Sequence, residues 1–424
     1  MSTRSRWRIA LVLAAAASLL TVALPAPAAT DNGNSNAPTA RFATFNASLN
    51  RNFDGQLQAD LSVPGNAQAD TIAEIIQRTR PDVVLINEFD YDAGGVSLAG
   101  FQDNYLSVPH TTDGDEAAPI VYPYRYTAPS NTGIHSGFDL NNDGVIDPVA
   151  GPFNFDYAND SFGFGWFPGQ FGMAVYSMYP IDLDNVRTFQ NFLWKDMPGA
   201  LLPTNDDGTQ WYSPEELDVL RLSSKSHWDL PIEIGHTTVH FLVSHPTPPV
   251  FDGPEDRNGT RNHDEIRFWS DYVSAAGDAY IYDDNGTPGA LAPGSLFVIA
   301  GDQNADPLDG DSTQDAIQQL LDSPNINTKV TPASEGAVEQ SILQGGANDA
   351  HLSDPAFDTA DFSDFAPGNL RADYVLPGKA LQIRDAGVFW PLSDDPLFAL
   401  VGTWPFPSSD HRLVWIDISH GAFG

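Results

Sequence analysis

Short apolar runs that stop abruptly on polar side chains recur along this sequence, and they constrain its fold more than any other feature. Residues 83–86 are all aliphatic and open directly onto Asn87 and Glu88. Residues 296–300 form a second apolar run that leads through a glycine to Asp302. A continuous apolar run of this length is typical of a strand buried on both faces. The chain is therefore expected to form buried strands whose polar ends lie at the edge of a sheet.

The remaining periodic segments predict an α/β protein. Residues 40–46 alternate polar and apolar side chains and end on Asn46, as a half-buried strand does. Further strands are predicted at 172–177, 237–244, 372–376 and 413–418, and helices at 70–80 (with Asp70 as N-cap), 265–275 and 313–321. Residues 91–170 and 185–230 are predicted to be long loop insertions. The simplest arrangement is a two-sheet sandwich with helices outside and polar loops at one edge.

The N-terminal residues 1–28 predict a secretory signal peptide. Arg4, Arg6 and Arg8 precede an apolar run, and a small-residue cleavage site follows it. A membrane anchor is the alternative, but the run is short for a membrane span and no basic cluster follows. We therefore expect a secreted chain without a transmembrane segment, with a disordered linker at 29–38 and the folded part at 39–424.

Acidic residues dominate the composition. The chain has 56 Asp and Glu against 20 Lys and Arg, a net charge of −36, and no cysteine. Neutralising the phosphates of a long nucleic acid takes many lysines and arginines, so nucleic acid is a disfavoured partner. The charge more simply keeps an exported protein soluble, and we expect a monomer. Disulfides and thiol chemistry are excluded.

The polar ends of the first two strands have ordinary explanations when each is taken alone. Asn46 would usually belong to a turn or a cap. Glu88 directly follows buried aliphatic residues, which is costly unless the carboxylate joins a surface salt bridge or binds a cation. Both residues are therefore candidates for a site, and neither is sufficient evidence for one.

The later strand ends leave similar alternatives. Asp302 and Asn304 can face the same side and suit a cation or a phosphate oxygen, or they can form an Asx-rich turn. His245 alone would more often be structural. Asp410 beside His411 can combine a metal ligand with a proton donor, although such a pair is common by chance.

Taken together, these motifs are far more specific than any one of them. They lie at 44–46, 87–88, 243–245, 301–306, 371–374 and 409–411. Their order and their position at strand ends resemble the endonuclease/exonuclease/phosphatase family, which includes DNase I-like nucleases, sphingomyelinases and inositol phosphatases. The resemblance extends over roughly 40–418 and would place the family's domain at 39–424.

The resemblance implies a four-layer α/β/β/α sandwich of two mostly antiparallel sheets, with the site at the loop edge. It implies that Asn46 and Glu88 bind a catalytic Mg²⁺, or Mn²⁺ or Ca²⁺ in its place, with Asp410 close to it. Phosphate ester hydrolysis needs such a cation to offset developing negative charge.

The same resemblance assigns roles in catalysis. It implies that Asp302 and Asn304 position the nucleophilic water and a phosphate oxygen. It also implies that His411, oriented by Asp373, and His245 handle proton transfer and transition-state charge. This division is chemically reasonable, because ester cleavage needs a polarised water and a proton source for the leaving oxygen.

Three positions depart from the usual family pattern. Asn87 replaces a glutamine, Gln303 an apolar or aromatic residue, and Ala372 an isoleucine. None of these changes removes a proposed ligand, but they separate the chain from the best-known branches and weaken any transfer of substrate.

A dense polar run at 257–265 is predicted to open a helix after His245. Arg261, Asn262 and His263 could contact a substrate phosphate beside the helix N-terminus. The alternative is a capped, solvated helix start. The sequence does not decide between them.

A separate cation site is predicted within the first loop insertion, at residues 139–147. Asp139, Asn141, Asp143 and Asp147 have the spacing of a calcium loop, which resembles a dockerin or EF-hand loop. Position twelve is Ala150, so the usual bidentate glutamate is missing and another ligand would have to come from elsewhere. The alternative is a plain Asx-rich loop, and the role of a bound Ca²⁺ would be structural.

The sequence therefore predicts a secreted, divalent-metal-dependent hydrolase of phosphate esters, acting on a small organic phosphate or a lipid headgroup. A DNase I-like extracellular nuclease is the first alternative. A catalytically silent, calcium-dependent binding module is the second, and the retention of every proposed acid, amide and histidine argues against it.

Overall fold

The computed structural model describes residues 38–424. The predicted signal peptide, and the predicted linker up to residue 37, lie outside the described residues. The strands are β1 (Thr39–Asn46), β2 (Val83–Asn87), β3 (Tyr124–Tyr126), β4 (Met173–Ser177), β5 (Arg187–Thr188), β6 (His227–Ile234), β7 (Thr237–Ser244), β8 (Leu296–Asp302), β9 (Ala360–Asp361), β10 (Asn369–Leu370), β11 (Asp373–Pro377), β12 (Gln382–Val388) and β13 (Val414–Ser419). The α-helices are α1 (Gln56–Leu61), α2 (Ala67–Thr79), α3 (Val96–Phe101), α4 (Phe155–Asn159), α5 (Pro214–Leu217), α6 (Arg257–Tyr272), α7 (Gln318–Leu321), α8 (Glu335–Gln344) and α9 (Phe398–Val401).

The strands form two mixed sheets and one short two-stranded ribbon of β9 and β10. The first sheet has the order β12-β13-β1-β2-β4-β3 and the second β11-β8-β7-β6-β5. Each sheet contains one parallel pair, β1 with β2 and β7 with β8, and the other neighbours are antiparallel. The first sheet combines strands from early and late in the chain, and the second is built from the middle.

The two sheets pack face to face around a shared apolar interior. Phe42 of β1 meets Phe241 of β7 edge to face, with ring centroids 5.2 Å apart. Val298 of β8 points into this interior, whereas its neighbours Phe297 and Ile299 point to the opposite face and pack with α6. This alternation follows from the two-residue period of a strand. With α2 on the first sheet and α6 on the second, the predicted four-layer α/β/β/α sandwich is confirmed.

Three helices begin at other residues than predicted. One of them, α7, begins at Gln318 rather than at 313, because Gln314 and Asp315 have a left-handed backbone with φ of 49° and 55°. The N-cap of α2 is Asn66 rather than Asp70, because the Asn66 side chain accepts the backbone N–H of Ala69 at 3.1 Å. Helix α6 starts at Arg257 rather than at 265, and Asp252 accepts the backbone N–H of Asn258 at 2.6 Å in its first turn. The polar run at 257–265 therefore forms the first turns of α6.

The predicted loop insertions contain more regular structure than expected. Residues 91–170 include α3, β3 and α4, and residues 185–230 include β5, α5 and the start of β6. Their aromatic side chains pack under the loops as part of the apolar clusters, without the periodicity of a long element. Within residues 38–424, no helix is long and apolar enough to cross a membrane.

Candidate active site

Six polar side chains lie at one edge of the sandwich because of the directions in which the strands run. The carboxyl ends of both parallel pairs meet there, and the antiparallel strands β11 and β13 return to the same edge. The side chains delivered in this way are Asn46, Glu88, His245 and Asp302 at or just beyond strand ends, and Asp373 and His411 at or just before strand starts.

Three side chains at this edge are directed at one carboxylate oxygen, Oδ2 of Asp302. Asn46 Nδ2 donates to it at 3.0 Å, and the Nε2 atoms of His245 and His411 lie 3.4 and 3.7 Å away. The other oxygen, Oδ1, accepts the backbone N–H of Asn304 at 2.9 Å. Burial raises the pKa of Asp302 to about 6, and the His411 ring opposes that rise. The carboxylate can therefore gain or lose a proton near neutral pH.

His411 is held in a fixed orientation by Asp373. The distance from His411 Nδ1 to Asp373 Oδ2 is 2.8 Å, and the Thr359 hydroxyl donates to the same oxygen at 2.9 Å. Burial lowers the pKa of His411, but the carboxylates of Asp373 and Asp302 outweigh burial and hold that pKa well above its ordinary value. The ring is therefore a buried imidazolium whose Nε2 faces Asp302.

His245 has the opposite protonation state. Burial, together with the nearby Lys225 ammonium, lowers the pKa of His245 well below its ordinary value, so the ring is neutral. Lys225 is itself buried, with its Nζ 3.5 Å from the carbonyl oxygen of Pro246. Burial lowers the pKa of Lys225, while the carboxylates of Glu265 and Glu88 oppose that effect. A fixed positive group thus lies beside the neutral histidine.

Glu88 is surrounded by amides and by another acid. Asn50 Nδ2 donates to its Oε2 at 2.7 Å and Asn46 Nδ2 to its Oε1 at 3.2 Å. Burial and then the charge of Asp410 raise the pKa of Glu88. Its backbone is left-handed, with φ of 57°, an uncommon conformation that often marks functional sites.

The glycine before Asp302 is required by the close approach of two strands. A Cβ on Gly301 would lie 2.0 Å from the carbonyl oxygen of Ser244 in β7. Two residues on, Asn304 has a φ of 51° and donates through Nδ2 to Pro246 O at 3.1 Å. These constraints hold Asn304 beside Asp302 at the edge.

These residues fit a divalent cation, and their charges indicate where it would bind. The ligand atoms of Asp302, Asp373 and His411 lie within 4.8 Å of one another. However, His411 is positively charged and hydrogen-bonded to Asp373, so this trio suits proton transfer better than cation binding. Glu88 and Asp410 repel each other instead, and a cation between them would relieve that repulsion. In this structure the Asn46 nitrogen, rather than its oxygen, faces the two carboxylates it bridges.

The predicted substrate contacts on α6 lie elsewhere than expected. Arg261 is buried, and its guanidinium donates to the backbone carbonyls of Leu222, Phe162 and Arg221 at 2.6–2.9 Å. Asn262 donates to the carbonyls of Thr247 and Gln303 at 2.8 and 2.9 Å. His263 Nδ1 lies 3.0 Å from Asp264 Oδ1. Arg261 and Asn262 therefore hold the backbone of neighbouring loops, and His263 contacts its neighbour in α6. Their contact with substrate stays a prediction.

The residues of the predicted calcium loop make hydrogen bonds among themselves and with nearby backbone. Asp139 accepts the backbone N–H groups of Asp143 and Gly144, Asn141 donates to Asp143, and Asp147 accepts from Asn154. These four residues form a separate site candidate, away from the strand ends.

Three residues at the active edge were missed from the sequence. Lys225 lies in a polar stretch without periodicity, Asn50 follows the first strand at a distance, and Thr359 belongs to a short segment before β9. Only the clustering of Asn50 four residues after Asn46 was a usable signal. Lys225 and Thr359 reach the site only through tertiary packing, which no local sequence pattern indicates.

The architecture and the arranged acids, amides and histidines place the chain in the class of α/β-sandwich proteins to which phosphoesterases belong. The chain belongs to the Endonuclease/Exonuclease/phosphatase family, whose model matches residues 43–411. This confirms the resemblance found in the sequence. Members of this family hydrolyse phosphate esters and depend on divalent metal ions.

Several solved structures are similar to this chain, and no curated protein matches it significantly. An endonuclease/exonuclease/phosphatase from Beutenbergia cavernae is 17% identical, with a TM-score of 0.47, covering 90% of this chain and 72% of that one. The human Nocturnin catalytic domain is 14% identical, with a TM-score of 0.43 and coverage of 90% and 93%. Sphingomyelinase C from Streptomyces griseocarneus is 14% identical, with a TM-score of 0.43 and coverage of 90% and 99%.

Proposed function

We propose that this protein is a secreted, divalent-metal-dependent hydrolase of phosphate esters, acting on a small organic phosphate or a lipid headgroup. The observation that carries the proposal is the convergence of Asn46, His245 and His411 on Asp302 Oδ2, at 3.0, 3.4 and 3.7 Å. A buried carboxylate with a pKa of about 6, next to an imidazolium, is suited to accept and pass on a proton.

The residues support a complete cycle for ester cleavage. Asp302 accepts a proton from the attacking water, whose oxygen forms a new bond to phosphorus, while Asn304 orients the water and a phosphate oxygen. The ester P–O bond breaks, and the leaving oxygen takes the Nε2 proton of His411. The proton on Asp302 then passes to His411, which has the higher pKa, and both residues return to their starting states.

The positive groups around Asp302 stabilise the charge that develops on the phosphate. Lys225 is a buried ammonium, and the neutral His245 can donate a hydrogen bond without a net charge. When a divalent cation is bound, held by Glu88 and Asp410 beside Asn46, its charge offsets the negative charge of the phosphate. Because these donors are already fixed in place, the protein needs little reorganisation during the reaction.

The charge of the whole chain bears on the substrate. With 20 Lys and Arg against 56 Asp and Glu, few groups are available to neutralise a long row of phosphates. A single esterified phosphate needs only the site cation and one or two fixed positive groups. The chain therefore fits a small phosphate or a headgroup better than duplex DNA.

The test is a substrate panel run with and without a chelator. Release of nitrophenol from bis-p-nitrophenyl phosphate and p-nitrophenyl phosphate would be measured with Mg²⁺, Mn²⁺ or Ca²⁺, beside plasmid DNA, sphingomyelin and inositol phosphates. We expect chelator-sensitive hydrolysis of at least one small phosphate or lipid substrate. Cleavage of plasmid DNA alone would favour the nuclease, and inactivity on the whole panel would favour a silent binding module.

Variants separate catalysis from folding. Asp302→Ala and His411→Ala are expected to lower turnover by about 10²–10⁴-fold with a thermal unfolding temperature near that of the wild type. Asp103→Ala, which removes an exposed carboxylate, is the matched control and should leave turnover unchanged. Collapse of folding in both site variants would contradict the catalytic assignment.

A further inference from the structure

The loop at residues 139–150 has cation-binding spacing but lacks its last ligand. Asp139, Asn141, Asp143 and Asp147 stand at positions one, three, five and nine of a calcium loop, and Ala150 stands at position twelve. A calcium ion takes six to eight oxygen ligands, and the twelfth residue usually provides two of them. A site built from this loop needs a carboxylate from another element.

Asp160, immediately after α4, is a buried carboxylate directed at this loop. Its residue exposure is 0%, and its Oδ1 accepts the backbone N–H of Leu140, inside the loop, at 2.8 Å. Its Oδ2 is also buried and makes no hydrogen bond with any group among residues 38–424, although the backbone N–H of Asn141, also inside the loop, interacts favourably with the carboxylate. Leaving a buried carboxylate oxygen without a partner is costly, so this atom requires a ligand or a proton.

The charges around Asp160 favour a cation. Burial and then the charges of Asp139 and Asp143 raise the pKa of Asp160 to about 6, which places three carboxylates in mutual repulsion. A proton would remove one of these charges, whereas a divalent cation would offset two and also give Oδ2 a partner. The three carboxylates have not closed to within 4.8 Å of one another, as Asp302, Asp373 and His411 have, so binding would draw them together.

We propose that Asp160 supplies the carboxylate that position twelve lacks, and that Asp139, Asn141, Asp143 and Asp160 bind one Ca²⁺. Oxygen ligands with several full negative charges suit a hard cation, and the one-three-five spacing is that of loops that bind Ca²⁺, whose coordination is less strict than the octahedron of Mg²⁺. This site is independent of the proposed catalytic function.

The ion would stabilise the segment at residues 131–163, which is hydrogen-bonded to the backbone of Lys225. The backbone carbonyl of Asp160 accepts the N–H of Ser136 at 2.9 Å, and the backbone N–H of Asn131 donates to the carbonyl of Lys225 at 2.8 Å. At the other end of the segment, Arg261 donates to the carbonyl of Phe162 at 2.6 Å. A cation at Asp160 would therefore stabilise the packing of residues 131–163 on the segment before β6 that contains Lys225.

The experiment is calorimetric titration of the metal-stripped full chain with CaCl₂. A Glu88→Gln background removes cation binding at the active edge, so that heat from the loop is observed alone. We expect one Ca²⁺ per chain in this background and a rise in thermal unfolding temperature on binding. Adding Asp160→Asn should weaken binding by about 10-fold or more and abolish the rise.

Two further variants make the result decisive. Asp156→Asn changes a partly exposed carboxylate in α4, the short helix that precedes Asp160, and should bind Ca²⁺ as the parent does. Asp143→Ala lies on the exposed part of the loop, where folding is not at risk, and should weaken binding as Asp160→Asn does. Absence of Ca²⁺ binding at millimolar concentration, or equal affinity in the Asp160 and Asp156 variants, would overturn the proposal.

Discussion

Asp302 and Asp373 face each other in register across the antiparallel strands β8 and β11, and His411 joins them. Its Nδ1 lies 2.8 Å from Asp373 Oδ2, and its Nε2 lies 3.7 Å from Asp302 Oδ2. Two chemically identical side chains therefore have different surroundings. Asp373 orients and charges the ring, whereas Asp302 faces the place where a proton must be taken up.

Replacing Asp373 with asparagine should alter the pH dependence of turnover. The Asp373 carboxylate helps to hold the pKa of His411 above its ordinary value, so Asp373→Asn lowers that pKa. The protonated ring is then lost at lower pH, and the basic limb of the pH–rate profile moves to lower pH. Turnover near neutrality should fall by about 10²–10⁴-fold. An unchanged basic limb on bis-p-nitrophenyl phosphate would show that Asp373 does not act through His411.

Replacing Lys225 with methionine should impair catalysis without unfolding the protein. The ammonium is buried beside His245, so removing it deprives the phosphate of a fixed positive group. We expect kcat/KM to fall by about 10²-fold, within the range of a lost electrostatic contact. Lys195→Met, at an exposed ion pair with Asp218, is the matched control. Equal kcat/KM in the two variants would remove Lys225 from the site.

Replacing Arg261 with alanine should reduce stability rather than substrate binding. Three backbone carbonyls would lose their donor in a buried place, where each unsatisfied group costs about 1–3 kcal/mol. The free energy of unfolding in urea should fall, while the Michaelis constant of the folded enzyme stays near that of the wild type. A large rise in the Michaelis constant with unchanged stability would restore the predicted substrate contact.

His227 should make the fold sensitive to acid. Burial lowers its pKa to about 4, and its Nε2 lies 2.9 Å from the carbonyl oxygen of Glu265. Below the ordinary value of about 6.5, the unfolded chain binds a proton that the folded chain does not, so stability falls as pH falls from about 6.5 towards 4. His227→Gln should reduce the loss of unfolding free energy between pH 7.5 and pH 5 by about 2 kcal/mol.

The control for this measurement is His236→Gln, which changes an exposed histidine. Its loss of stability over the same pH interval should equal that of the wild type. If the His227 and His236 variants behave alike, the acid sensitivity arises from other groups.

The strand ends were predictable from the sequence because burial and polarity change there within one residue. Asp302 follows five apolar residues and a glycine. A carboxylate in that position is stable only if it is paired, hydrogen-bonded or bound to a cation. The prediction of Asn46, Glu88 and Asp302 at one edge needs only the strand directions. In the structure, Asn46 lies within hydrogen-bond distance of both Glu88 and Asp302.

Residues whose environment is made by packing between distant segments were not predictable. Lys225 has a sequence context of serines, and its buried ammonium is directed at the carbonyl of Pro246, 21 residues away in the chain. Arg261 lies in a polar run typical of a solvated helix start, yet its partners are carbonyls 39–99 positions away in the chain. Asp160 likewise becomes a candidate ligand only when α4 is placed against the loop at 139–150.

The active edge is divided between the two halves of the sandwich. Asn46, Glu88 and His411 belong to the first sheet or its loops, whereas His245, Asp302 and Asp373 belong to the second. The sheets are joined by side-chain packing in the interior rather than by shared backbone hydrogen bonds. A relative slip of about 1 Å would be enough to cost roughly 10²-fold in rate. Turnover is therefore a sensitive measure of how the halves are aligned, and mild denaturant should abolish it before either sheet melts.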